Sequence, residues 1–205
     1  MAALGGYESE KEQAIAAIED YLNSGAWEPA VQKDGVAFKT CPNKAGHSIN
    51  VFYGSKVINS TVEKIVDFCW NKTSFDIIKQ FDPDCLSWAC KDIGEQERIV
   101  YQLNKLGWPI WDRSFVTIWF IAKRGDSTII GYTGVVDPDF PEKPKDDVRG
   151  HVTFACLHLT PTADGKTFIQ RLMHIDPAGS LPSSLVNRLG GRQVVDYINW
   201  LEKKV

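Results

Sequence analysis

The chain has no excess of positive charge, no long apolar run and no nucleotide, nucleophile or zinc motif, and each absence removes a class of function. Lys and Arg number 23 against 26 Asp and Glu, for a net charge of −3 and a pI near 5.8. The basic surface that nucleic acid requires is missing. No uncharged apolar stretch approaches the ~18 residues of a membrane-spanning helix. The first residues, MAALGGYESEKEQ, carry neither the basic start nor the apolar segment of a secretory leader, so a cytoplasmic location is expected. The five cysteines, Cys41, Cys69, Cys85, Cys90 and Cys156, form no Cys-x-x-Cys and no paired framework, which reads as reduced thiols. In such a setting the sequons at Asn59 and Asn71 are coincidental. GxSxG, GxGxxG, HExxH and GxxxxGK followed by Ser or Thr are all absent. The four histidines, His47, His151, His158 and His174, are too dispersed for a metal set, and His151 and His158 would point to opposite faces of one strand. No catalytic residue, metal or cofactor is expected.

What the chain does have is length, rings and strand-like patterning. Its 205 residues suit one domain able to bury about 70% of its unfolded surface, with room for a core and a cavity. Seven Trp and ten Phe fill cores, and they also suit walls around an apolar ligand. Residues 8–24 read as a helix with Ala14, Ile15, Ile18, Tyr21 and Leu22 on one side, ending at Ser24-Gly25. Strands are expected over 36–40, 49–58, 86–93, 97–104, 114–123, 127–136, 148–159 and 167–175, and Ser60-Thr61 caps a helix carrying Ile65, Val66 and Phe68. Short connections make most neighbouring strands antiparallel. Over 115–121 Phe115, Thr117, Trp119 and Ile121 alternate with Val116, Ile118 and Phe120, so both faces of that strand are apolar and a second layer is required. From Leu185 an apolar stripe runs through Leu189, Val194, Ile198, Leu201 and Val205 at near-helical spacing, so a buried helix ends the sequence. Gly190-Gly191 interrupts it. Each glycine costs roughly 1 kcal/mol relative to Ala in a helix interior, which calls for a bend, a close contact or a hinge.

The segment KTFIQRLMHIDPAGSLPSSLVNRL at 166–189 resembles the end of the START (steroidogenic acute regulatory protein-related lipid transfer) domains. FDPD at 81–84, WDRSFV at 111–116 and DFPEKPKDDVRG at 139–150 are similar to further segments of that family, in the family's order, so the likeness covers about residues 60–205. The resemblance implies an α+β helix-grip fold, a curved antiparallel sheet wrapped around the C-terminal helix and enclosing a lipid cavity. It also implies a monomer that binds one lipid, touches membranes transiently and carries the lipid between them. A lipid sensor acting through a partner protein and a helix-grip cyclase or hydrolase are the alternatives.

Site residues follow from the same likeness. Gln102 and Trp119 occupy the places of the family's cavity carboxylate and its arginine partner, so both charges are missing here. Arg171, between Ile169, Met173 and Ile175, is a candidate cation for a phosphate, unless it lies on the outer face with its head in water. Arg113 in WDRSFV reads as structural. Trp88, Tyr101, Trp108, Trp111, Trp119 and Tyr132 could form an aromatic cage around a quaternary ammonium. That cage and the missing ion pair favour a glycerophospholipid such as phosphatidylcholine, with a sterol still open. Val194 and Ile198 are expected to line the cavity. The irregular segment 137–147, with Phe140 and Pro141, is expected to form a lid with Gly190 and Gly191, or simply a solvated loop.

Overall fold

A computed structural model describes residues 6–24, 26–44, 46, 48–107, 110–143 and 147–205; His47 and Trp108 lie outside the described residues. Helix α1 (Glu8–Ser24) precedes strands β1 (Val31–Lys33), β2 (Val36–Cys41) and β3 (Val51–Ile58). The chain then crosses through α2 (Val62–Val66), a π-helical turn at Asp67–Asn71 and α3 (Phe75–Phe81) to reach β4 (Cys85–Gly94). There follow β5 (Glu97–Asn104), β6 (Arg113–Arg124), β7 (Ser127–Gly134), β8 (Val148–Arg149), β9 (His151–Pro161), β10 (Thr167–Asp176) and α4 (Ser183–Glu202). The strands form one curved sheet in the order β1-β2-β3-β10-β9-β7-β6-β5-β4, with β8 alongside β6. Every pairing is antiparallel except that of β8 with β6. The α+β helix-grip architecture expected from the sequence is therefore present.

Two expectations need correction. The strand anticipated over 148–159 divides at Gly150 into β8 and β9, because the first two residues pair with β6 instead of β7. A short helix, α3, stands where no element was foreseen. Its Ser74 cap accepts a hydrogen bond from the Ile77 amide at 3.4 Å, with Asp76 in the first turn and Lys79 in the last, both favourable to the helix dipole.

Alternation along the strands gives the sheet two apolar faces. Outside, Phe120, Ile129, Phe154, Cys156 and Leu172 pack against Ala14, Ile18 and Tyr21 of α1, the side of α1 that its periodicity selects. Inside, α4 lies across β2, β3 and β10 and buries Gly191, Val194, Val195, Ile198 and Leu201. The contact is close because glycines stand on both surfaces. A Cβ added at Gly54 would lie 2.6 Å from Val194 Cγ1 and 3.1 Å from Ile198 Cδ1. One added at Gly190 would lie 2.5 Å from Phe52 Cε2, and one at Gly191 would lie 2.9 Å from Phe38 Cζ. The helix runs unbroken through both positions, so close approach accounts for the glycine pair without a bend.

Gly190→Ala should cost about 1–3 kcal/mol through overpacking against Phe52, outweighing the roughly 1 kcal/mol gained in helix propensity. Adding Phe52→Leu should recover most of the loss in urea unfolding. A Gly190→Ala chain as stable as wild type would mean that the helix has room to swing, as a hinge requires.

Candidate functional site: an apolar cavity under the last helix

Because α4 covers only one side of the inner face, β5, β6 and β7 look onto space instead of helix. A cavity of about 610 Å³ lies there. Its wall includes Phe52, Phe68, Ile77, Phe81, Ile130 and Leu157, and helix α4 adds Leu185, Val186, Tyr197 and Trp200. Local structure puts these side chains in place. The Thr61 hydroxyl caps α2 by accepting from the Lys64 amide at 3.4 Å, and the π turn that follows aims Phe68 and Cys69 inward. Helix α3 contributes Ile77, Ile78 and Phe81, and Phe81 meets Tyr197 edge-on at 5.0 Å. Leu106 and Leu189 line the cavity yet are 39% and 51% exposed, which locates the opening between the loop after β5 and the first turns of α4. Trp111, 55% exposed, stands in the same loop.

The polar groups in this wall are few and differently satisfied. Arg113 is clamped by backbone carbonyls, donating to those of Trp111, Pro177 and Ala178, so its role is structural as the sequence suggested. Trp119 stacks on Tyr132 at 5.4 Å and donates through Nε1 to Thr117 Oγ1 at 2.9 Å. The Tyr132 hydroxyl accepts from Arg171 Nη2 at 3.3 Å, and the Arg171 guanidinium lies 3.9 Å above the Tyr197 ring. Arg171 is 4% exposed, and its Nε has no hydrogen-bond partner. The position is therefore inward, with Ile169, Met173 and Ile175 on the same side of β10. Across the cavity Asp82 Oδ2 accepts from Gln102 Nε2 at 3.2 Å and from the Asn104 amide. Burial pushes the Asp82 carboxyl above its ordinary pKa, although the Asn104 hydrogen bond pulls the other way. The Cys69 thiol, 3.8 Å from the Tyr197 hydroxyl, is pushed up to about 12 by burial and so stays protonated.

Of the residues expected at the site, Gln102, Trp119, Tyr132, Arg171 and Gly190 line the cavity. The others do not. Tyr101 is adjacent to Gln102 on β5 and so faces outward, where it stacks on Phe140 at 5.4 Å with the rings 9° from parallel. Phe140 and Pro141 are held on that outer side, their carbonyls accepting from Arg149 Nη2 at 3.2 and 3.3 Å. The start of the expected lid is anchored as well, since buried Asp137 takes hydrogen bonds from Tyr7 and Lys91. Residues 105–106 and 110 occupy the cavity edge in its place. Val194 and Ile198 are fully buried against Gly54 and seat the helix instead of facing the cavity. Gly191 packs on Phe38. Trp88 lies opposite Gln102 in the ladder but outside the lining set. Among the described residues the six-ring cage is not assembled, for Trp111 is exposed and Tyr101 faces outward. Asp82 and Tyr197 were missed. The Phe81-Asp82 step after a capped α3, and the fourfold spacing of Tyr197 from Gln193 and Leu201 on α4, were the available signals.

A START domain family model matches residues 56–204. The chain belongs to the START domain family. Among curated proteins, the mitochondrial steroidogenic acute regulatory protein of Danio rerio is 26% identical over 117 residues, 55% of this chain and 41% of that protein. The chain thus spans about two fifths of that relative's length. Among solved structures, human StAR-related lipid transfer protein 5 superposes with a TM-score of 0.77 at 20% identity, covering 96% of each chain. Human STARD10 gives 0.78 at 17% identity, covering 94% of this chain and 78% of that one. At these identities the two structures speak for the START fold alone. No helix among the described residues is long and apolar enough to cross a membrane.

Because the folded pKa of Asp82 is raised, its contribution to stability is complete below the unfolded value of about 3.9 and is lost as pH rises through the folded value. Asp82→Asn should remove that loss, so the mutant's stability relative to wild type should climb from about pH 4 upward. Thermal melts of both chains across that range read the difference. A difference that does not change with pH would mean that the Asp82 carboxylate is as well solvated in the fold as in the open chain.

Proposed function

We propose that this START domain encloses one lipid in the cavity beneath α4 and carries it between membranes as a cytoplasmic monomer. The observation that carries the reading is the 610 Å³ space walled by Phe, Ile and Leu side chains and opening beside α4. A fold that leaves such a volume unfilled forgoes packing across all of it, and an apolar guest supplies those contacts. Each buried methylene is worth about 0.8 kcal/mol, so desorption of a bare chain into water is slow and a wall of this kind lowers the barrier. Binding without chemistry fits the wall's groups. Cys69 is held as a thiol, and no salt bridge joins Asp82 to Arg171. All five cysteines are free, which suits a reducing compartment.

Entry and exit are assigned to the loop after β5 and the start of α4. Leu106, Trp111 and Leu189 place exposed apolar surface around the opening, as a face that meets a membrane does. Asp137, Phe140 and Pro141, by contrast, are tied to the outer face, and residues 144–146 of that segment lie outside the described residues. Among the described residues the rings expected to hold the ammonium of phosphatidylcholine form no cage, since Tyr101 faces outward and the Tyr197 ring already carries the Arg171 cation.

Titration with fluorescent cholesterol and a fluorescent single-chain lipid should saturate at one per chain for at least one of them. No saturable binding of either would overturn the reading. In vesicle-to-vesicle transfer, Leu106→Ser with Leu189→Ser should slow delivery several-fold, because weaker docking changes rates more than affinity. Equal transfer by the double variant would place the membrane contact elsewhere.

A further inference from the structure

Among the charged side chains that line the cavity, Arg171 alone is both buried and without a set of acceptors. Lys105 is exposed at the rim, and Arg113 is held by four backbone carbonyls. Asp82 already receives two side-chain amides. Arg171 makes one hydrogen bond among the described residues, to the Tyr132 hydroxyl, and no described carboxylate pairs with it. Its Nε is buried with no partner, and one face of the guanidinium rests on Tyr197. A guanidinium keeps its charge inside a protein, so burial leaves a cation whose Nε–H has no described partner and whose one described hydrogen bond goes to a neutral hydroxyl.

We infer that the missing anion arrives with the ligand: the lipid carries a carboxylate or phosphate headgroup, and Arg171 receives it inside the cavity. The inference rests on the proposed lipid-binding function and narrows its ligand class. A planar fork of donors matches a carboxylate or phosphate by two parallel hydrogen bonds, and the charge-assisted pair is stronger than one to a neutral hydroxyl. A sterol hydroxyl would answer one N–H and leave the charge. Tyr132, stacked on Trp119, and Tyr197, held on α4, fix the guanidinium from two sides, so the receiving group is positioned before the ligand enters. The placement also sets direction, with the headgroup at β10 and the chain running along Ile130, Phe115 and Leu185 toward the opening.

Calorimetric titration of the full chain with oleate, oleoyl lysophosphatidate and oleyl alcohol, each delivered from cyclodextrin, tests the assignment. The wild type should bind at least one of the two anions about tenfold more tightly than the alcohol, the tighter anion identifying carboxylate or phosphate. Arg171→Met should erase that preference while still binding the alcohol, and its ligand-free melting temperature should rise because a lone buried charge has gone. Arg171→Lys should keep part of the preference. Equal affinity of wild type for oleate, lysophosphatidate and oleyl alcohol overturns the inference without touching lipid binding, and so does a preference that survives in Arg171→Met. The first of these comparisons needs no variant to fold. A wild type that binds none of the three, nor cholesterol, overturns lipid binding itself and the inference with it.

Discussion

Gly54 on β3 lets α4 come down onto β2, β3 and β10, and the position of that contact decides where the cavity lies. The helix is seated by Val194 and Ile198 against the bare backbone of Gly54, and by Phe52 and Phe38 against Gly190 and Gly191. A helix about 10 Å across cannot also cover β5, β6 and β7. Their inward residues, Gln102, Thr117, Trp119, Ile130 and Tyr132, are therefore left facing space, and α3 with the π turn closes the side of it. The outer face shows the contrast. There α1 is matched to its strands by Ile18 and Tyr21.

The charges inside the cavity follow a second constraint. The places that the resemblance gave to a carboxylate and its arginine hold Gln102 and Trp119, yet the cavity is not without charge. A carboxylate enters from the end of α3 as Asp82, bound by Gln102 itself, and a guanidinium enters from β10 as Arg171, bound through Tyr132 to the ring that stacks on Trp119. The two are not joined in a salt bridge, so neither neutralises the other. Breaking or omitting one half of a buried pair costs far more than omitting both. The retained Arg171 is thus the feature of the wall that most constrains what it holds.

Much of this was legible in the chain. Period-two runs located most strands, and α1 and α4 showed their buried stripes, because each is long enough for periodicity to stand out. Ser183 begins α4 two residues before Leu185, where the apolar stripe starts. Helix α3 was not legible in the same way, since seven residues give barely two turns and none of them is buried. Strand faces were the weaker part of the reading. Tyr101 and Gln102 are neighbours on β5 and cannot both point inward, so one of the pair had to fail. Arg171 was left between the two faces by the sequence, because a long side chain can pack its stem outside and keep its head in water; the structure sets it inward, 4% exposed. Phe140 and Pro141 lacked any such guide, because a loop has no period and its anchoring rests on distant groups such as Tyr101 and Arg149. Val194 and Ile198 sit on the correct stripe of α4, but a stripe wide enough to touch both sheet and cavity does not say which residue touches which.

The account comes down to whether the space under α4 is a lipid site whose occupant answers Arg171. Native mass spectrometry of the chain purified from cells without detergent, followed by extraction and identification of whatever it carries, tests this most directly. The account predicts a single lipid-sized increment on each chain, lost in denaturing spectra, whose extracted component ionises as an anion. Chains that fly only at the mass of the sequence, and stay empty after incubation with vesicles containing fatty acid, lysophosphatidate and cholesterol, would contradict it.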